Sequence, residues 1–192
     1  MTIIPFAFPH IPGVACAFQT RHGGVSTAPY DQGNISFDVG DDPDAVKKNR
    51  TALLELLGVG GWQELKQVHG TRTIMDVQGS DAMRAGEREA DGSATRQKNL
   101  ALAIKTADCQ PLLLAHESGE IVAGLHSGWR GNRAEYPVLA VQELCDHYGV
   151  KPEEWSAVRG PSLSPARAEF INYDQEWGES FASYHDPATR TM

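Results

Sequence analysis

The sequence predicts an α/β domain in which a sheet is sandwiched by helices. Two observations carry this. Strand-like and helix-like runs are mixed along the whole chain, with no internal repeat, low-complexity linker or compositional seam. In addition, 192 residues with 41% hydrophobic content suffice for one core and are short for two, so one unit over residues 1–192 is expected.

The elements follow in order. "GVACAFQTR" (13–21) alternates small or apolar residues with others and runs into the turn-rich "HGGVSTAPY", as a strand feeding a glycine-rich loop does. "DDPDAVKKNRTALLELLG" predicts a helix, with Asp42 as N-cap, Pro43 at the first position, apolar Val46, Leu53, Leu54 and Leu57, and Gly58 as the stop. "WQELKQVHG" and "TRTIMDVQG" resemble two strands parted by His69-Gly70, and the charged, aperiodic stretch 78–99 is expected to be a surface loop. "LALAIKT", "PLLLAH" and "IVAGLHSG" are expected to form the central sheet, the last two as a hairpin through "ESGE". A helix is expected over about 133–148, with Val138, Val141, Leu144 and Cys145 on one face and Gly149 as the stop. "WSAVRG" is a further strand, and "INYDQEWGESFASY" is expected to be helical.

A formal net charge of -8 argues against a general nucleic-acid or anionic-membrane binder and points to small-molecule ligands. Cys16, Cys109 and Cys145 are too few and too scattered for a disulfide framework, which suits a reducing compartment. The proline-broken start "MTIIPFAFPHIPG" does not resemble a signal peptide, and no segment approaches the roughly 18 apolar residues of a membrane span. A cytoplasmic location, without membrane or nucleic-acid partners, is the expectation.

Three positions share one feature. His69 in "QVHG", Cys109 in "TADC" and His126 in "LHSGWRG" each place a metal-ligating side chain at a strand end beside glycine or a polar turn. If their strands are neighbours, the side chains converge at one sheet edge, where sites in α/β folds lie. Two imidazoles and a thiolate suit zinc and leave a fourth position for water or substrate. Asp108, next to Cys109, is a candidate base or an orienting partner for a ligand histidine. The spacing forms no compact CxxC or HExxH pattern, so hydrogen-bonded structural histidines and a packing cysteine remain open from the residues alone.

A second cluster is basic and glycine-rich. Arg21 and His22 in "TRHGGVS", Arg130 in "GWRG" and Lys105 before "TADC" suit phosphate or another oxyanion, with a tight turn and solvated charges as the alternative. Asp91, in Asp91-Gly92, has the pattern of a turn residue and is kept among the substrate-contacting candidates. Cys16 and Cys145 are assigned to the core, and His10, His116, His147 and His185 to the surface.

In order, "TRHGGVS", "GDDPDAVKKNR", "QVHG", "ADGSAT", "TADCQPLLL", "HSGWRG" and "RGPSLSP" resemble the YfiH-like family, called multicopper polyphenol oxidases or laccase-domain proteins in older naming and also described as purine nucleoside phosphorylases with adenosine deaminase activity. The likeness runs from about residue 13 to 165. It implies a three-layer α/β/α fold with mixed sheets, akin to cysteine hydrolases, and a zinc site at His69, Cys109 and His126. It also implies phosphorolysis of adenosine, inosine, guanosine and methylthioadenosine to base and ribose 1-phosphate, and deamination of adenosine. On that resemblance Asp108 is assigned to proton transfer, Arg21, His22 and Arg130 to phosphate, and the partners are a nucleoside and phosphate, in a monomer or homodimer. The sequence departs from the family at "GPSLSPARAEF", where members carry Cys-Cys-Tyr, and is expected to lack a C-terminal segment of some fifty residues. The alternatives are a copper-dependent polyphenol oxidase, a metal-free enzyme with Cys109 as nucleophile and a nearby histidine as base or a hydrolase editing cell-wall precursors, and a binding module without turnover.

Overall fold

The computed structural model describes residues 1–191. Strands β1 (Ile3–Ala7) and β2 (Ala15–Gln19) form an antiparallel ribbon. β1 falls in the proline-broken start, where no strand is expected; as one strand of a two-stranded ribbon it tolerates Pro5, whose missing N–H need face no partner. Helix α1 (Pro43–Leu57) has the predicted ends: Asp42 accepts from the N–H of Asp44, Pro43 sits in the first turn, and Gly58 closes it at φ 64°. Its buried face holds Val46 and Leu53, but also Asn49 and Arg50, which no apolar periodicity shows.

Strand β3 (Gly61–Glu64) is parallel to β6 (Leu100–Ala103), and the pair forms its own sheet. The expected grouping of "LALAIKT" with the central strands is therefore corrected. A five-stranded mixed sheet is built from β4 (Thr73–Ile74), β5 (Gly92–Thr95), β7 (Gln110–His116), β8 (Val122–Ser127) and β9 (Trp155–Arg159), in the order β4-β5-β8-β7-β9. β4–β5 is parallel and the other pairs are antiparallel, β7–β8 being the predicted hairpin. β5 lies inside the stretch expected to be a surface loop, yet all four of its residues are buried. The run Gly-Ser-Ala-Thr carries no apolar signal because there is no room for large side chains: a Cβ on Gly92 would stand 2.2 Å from the Tyr136 hydroxyl and 2.6 Å from Leu125.

The helix expected from about 133 to 148 is α3 (Tyr136–Tyr148), and a short helix that was not expected, α2 (Trp129–Arg133), precedes it, separated by Glu135 at φ 56°. α3 covers one face of the large sheet, packing Tyr136, Ala140 and Leu144 on Ala94, Leu114, Ala123 and Leu125. Each leucine buried here contributes roughly 1.5–3 kcal/mol. The face is rotated from the expected one, since Val138 is 68% exposed. The opposite face of the sheet meets the β1–β2 side, with Phe8, Ile11 and Ala115 at its centre and Cys16 packed against them. Burial pushes the Cys16 thiol up to about 11, in keeping with a core role. Cys145 is buried as expected; His116, expected at the surface, is also buried, between Ser118 and Glu154. Near the C-terminus a one-turn helix, α4 (Tyr173–Glu176), and a 3-10 segment, Glu179–Tyr184, replace the single expected helix, parted by Gly178 at φ 79°. The predicted α/β class with mixed sheets holds.

Candidate metal centre

Three chain segments deliver the expected trio to one edge of the large sheet. Cys109 immediately precedes β7 and His126 lies near the end of β8, whose pairing sets Gln110 opposite Ser127 and Pro111 opposite His126. His69 arrives from the β3–β4 loop, in a left-handed conformation at φ 58°. Cys109 Sγ lies 3.8 Å from His69 Nε2, and one ligating atom from each of the three residues lies within 4.8 Å of the others. A tetrahedral ion held at zinc distances separates its N and S ligands by about 3.4–3.6 Å. The trio fits such an ion after rotamer-scale adjustment. Among the described residues it is the one cluster of three or more His, Cys, Asp or Glu side chains so arranged.

Asp91 organises this centre. Its carboxylate accepts from His126 Nδ1 at 2.8 Å and from the backbone N–H groups of Val68, His69 and Gly70 at 3.3, 2.9 and 2.7 Å. The three successive N–H groups wrap the anion as a nest does, which accounts for the left-handed turn at His69. With Nδ1 committed to Asp91, His126 presents Nε2 to the site, the carboxylate–histidine arrangement of metal centres. Asp91 is fully buried, so its expected role as an exposed turn residue is corrected. Orientation of a ligand histidine, offered to Asp108 from sequence, belongs to Asp91; Asp108 is exposed beside Cys109.

Electrostatics separate the two imidazoles. Burial acts against charge on His126, but the hydrogen bonds it donates to Asp91 and Cys109 outweigh it and push its pKa up to about 9. His69 is lowered, first by burial, then by the charges of His126 and Arg130, with Asp91 opposing. Burial likewise works against the Asp91 carboxylate, and its hydrogen bonds from His126, Gly70 and His69 hold it below the usual range nonetheless.

The basic cluster does not assemble as expected. Lys105 is 11% exposed and held between Glu64, at 2.6 Å, and Asp38, so its charge is already matched. Arg21 pairs with Asp31 at 2.8 Å, and His22 is exposed. The glycine loop beside them is pinned internally: Asn49 accepts from Val25 N–H and donates to Gln32 and Asn34 carbonyls, and a Cβ on Gly24 would fall 2.2 Å from the Gln32 oxygen. Arg130 alone among these cations lies near the trio. It is the second residue of α2, after Trp129, with its guanidinium 4.3 Å from the Trp129 ring centroid, beside an open cavity of ≈ 370 Å³ lined by Trp129, Arg130, Arg133 and Ala134.

Sequence reasoning missed two participants. One is Asp91 as the partner of His126. The other is Gly128, where a Cβ would sit 2.6 Å from the His69 ring and 3.2 Å from Cys109 Sγ; the glycine in "HSGWRG" is the space in which the trio meets.

Residues 15–192 match the family model described as multi-copper polyphenol oxidoreductase laccase. The chain belongs to this family. Similar proteins include the purine nucleoside phosphorylase YfiH of Shigella flexneri, 33% identical over 195 aligned positions that cover 96% of the chain and 76% of the relative. A purine nucleoside phosphorylase of Pseudomonas aeruginosa is 38% identical over 157 residues, 81% of the chain and 60% of that protein. The fold is also similar to that of YlmD from Geobacillus stearothermophilus, with a TM-score of 0.77 and 30% identity over 82% of this chain and 61% of that one. A DUF152 family protein from Neisseria meningitidis superposes with a TM-score of 0.74 at 32% identity, over 90% of this chain and 67% of that one.

Proposed function

We propose that the chain is a zinc-dependent purine nucleoside phosphorylase that also deaminates adenosine. The observation that carries this is the His69–Cys109–His126 trio, with His126 held by Asp91, in a chain 33% identical to a purine nucleoside phosphorylase. Zinc bound there supplies Lewis-acid polarisation of a substrate oxygen or water. The protein's own groups then have distinct tasks. Asp91 holds His126 in one tautomer. Arg130, beside the cavity, binds phosphate, whose oxygen attacks C1′ of the ribose as the bond to the purine breaks. Asp108, exposed next to Cys109, moves the proton that the departing purine needs in phosphorolysis, or that passes from the attacking water to the amine leaving C6 in deamination.

A polyphenol oxidase working through several coppers is less well supported, because a single three-ligand cluster is present among the described residues. One observation favours a second reading. Cys109 Sγ at 3.8 Å from His69 Nε2 is also a thiol within reach of a base, as in cysteine hydrolases.

The test is incubation of the protein with adenosine, with and without phosphate, followed by chromatography of the purines. Adenine is expected only with phosphate and inosine in both tubes. Both activities should vanish with chelator and return with zinc. Arg130→Ala is expected to raise the KM for phosphate about tenfold or more, the size of one charge-assisted hydrogen bond. Activity that survives chelator but not an alkylating agent would replace this proposal with the thiol hydrolase; no purine product in any tube would remove phosphorolysis and deamination together.

A further inference from the structure

The three ligand-bearing segments form a triangle, and each side of it is braced differently. The Cys109–His126 side is fixed by the β7–β8 ladder, which pairs the residues directly following Cys109 with those at His126. The His126–His69 side is fixed by Asp91, which bonds the imidazole of one and the backbone of the other. On the His69–Cys109 side the β3–β6 ladder stops at Glu64 and Ala103, and the link beyond it stands two residues before the histidine. The Gln67 side chain donates to the Lys105 carbonyl at 2.7 Å and accepts from the Lys105 N–H at 2.8 Å. A single primary amide thus reads both backbone groups of the residue that begins the "KTADC" approach to Cys109. Lys105 is itself immobilised, its ammonium held by Glu64 and Asp38 and Glu64 held in turn by buried Arg50. The amide therefore fastens the His69 loop to a fixed post.

We infer that Gln67 is a positioning residue that sets the separation of His69 from Cys109, and so the fit of the trio to its metal. The inference rests on the metal reading of the site. Neither Asp91 nor the β7–β8 ladder can replace the clamp, because neither ties the His69 loop to the segment leading into Cys109. Beyond the end of the β3–β6 ladder at Glu64 and Ala103, the loop without this clamp is held from the Asp91 side, and the 3.8 Å approach of Nε2 to Sγ is free to widen. The glutamine of "QVHG" is then part of the centre without touching the ion.

Cobalt(II), which takes tetrahedral sulfur and nitrogen ligands and reports them in its absorption, is the probe. The full chain, stripped of metal, is titrated with cobalt as wild type, as Gln67→Met, as Gln67→Glu, and as Lys66→Ala, which alters an exposed neighbour on the same loop. Circular dichroism confirms that each is folded. Gln67→Met keeps the length and removes both bonds; Gln67→Glu keeps the acceptor for Lys105 N–H but sets an oxygen against the Lys105 carbonyl. Both are expected to bind cobalt about 10–100-fold more weakly, the usual effect of losing a supporting hydrogen bond at a metal site. Their thiolate-to-cobalt band should shift or fade, while Lys66→Ala matches wild type. A folded Gln67 variant with wild-type affinity and spectrum, whatever its melting temperature, overturns the inference; should Gln67→Met not fold, Gln67→Glu decides it by the same readout. A wild-type chain with no thiolate band removes the metal reading itself, and that failure is distinct from the first.

Discussion

Replacing Glu64 by alanine is expected to destabilise the protein by about 3–5 kcal/mol, the usual cost of stranding a buried charge. Glu64 is 1% exposed at its side chain and receives Arg50 at 2.6 Å, Lys105 at 2.6 Å, the Trp62 indole at 3.2 Å and the Gly86 N–H at 3.4 Å. Arg50 is fully buried, with its guanidinium 4.4 Å from the Phe37 ring centroid and donating to the Ile35, Ala82 and Arg84 carbonyls. Those carbonyls satisfy hydrogen bonds but not the charge. Set against a typical total of about 5–15 kcal/mol, this loss moves a urea midpoint by a large fraction of its value. Tryptophan fluorescence during urea unfolding gives the midpoint. The exposed Lys66–Glu89 pair is the contrast, since Lys66→Ala should leave the midpoint unmoved. A Glu64→Ala midpoint equal to that of wild type would show that Arg50 finds compensation elsewhere.

The second large effect falls on the metal centre. Cys109→Ser or His126→Ala is expected to lower zinc affinity by more than about 100-fold, beyond the range seen on losing a supporting hydrogen bond, and to abolish turnover with the fold intact. The fold survives His126→Ala because Asp91 keeps its three backbone donors. Protons compete with the ion for the same nitrogen. In the metal-free protein His126 stays protonated up to about pH 9, against about 6.5 for a free histidine. Its stabilising interaction with Asp91 is thus fully present below about pH 6.5 and is lost as pH rises through about 9. Binding needs the neutral imidazole, so apparent zinc affinity should climb with pH until about 9 and then flatten. Competition titration with a chromophoric chelator between pH 6 and 10 measures the curve. An affinity that does not change with pH over that range would place the ion elsewhere.

How much of this was legible beforehand differs from element to element. α1 was readable because capping is local: Asp42, Pro43 and Gly58 act within a turn of the residues that carry them. The β7–β8 hairpin and β9 were readable because their apolar runs are bounded by turn residues. β5 was not, since it is a strand by virtue of its neighbours: Leu125, Thr73 and Tyr136 crowd Gly92 so closely that only small residues fit, and small residues carry no hydrophobic signal. Glu135, the left-handed residue between α2 and α3, is neither glycine nor proline, so the boundary shows in the sequence only through Pro137 in the first turn of α3. At the site, ligand chemistry named His69, Cys109 and His126, whereas Asp91 looked like a turn because its importance lies in partners 21 to 35 positions away. Lys105 shows the reverse situation. Its sequence neighbours suggested a phosphate ligand, and its spatial neighbours, Glu64 and Asp38, neutralise it.

The account depends most on an ion held by His69, Cys109 and His126. Anomalous diffraction at the zinc edge, from crystals of the protein purified without chelator and supplied with zinc, tests this directly. One peak within about 2.0–2.3 Å of His69 Nε2, Cys109 Sγ and His126 Nε2 is the predicted result; zinc bound only at other residues, or no peak at this edge of the sheet, would contradict it.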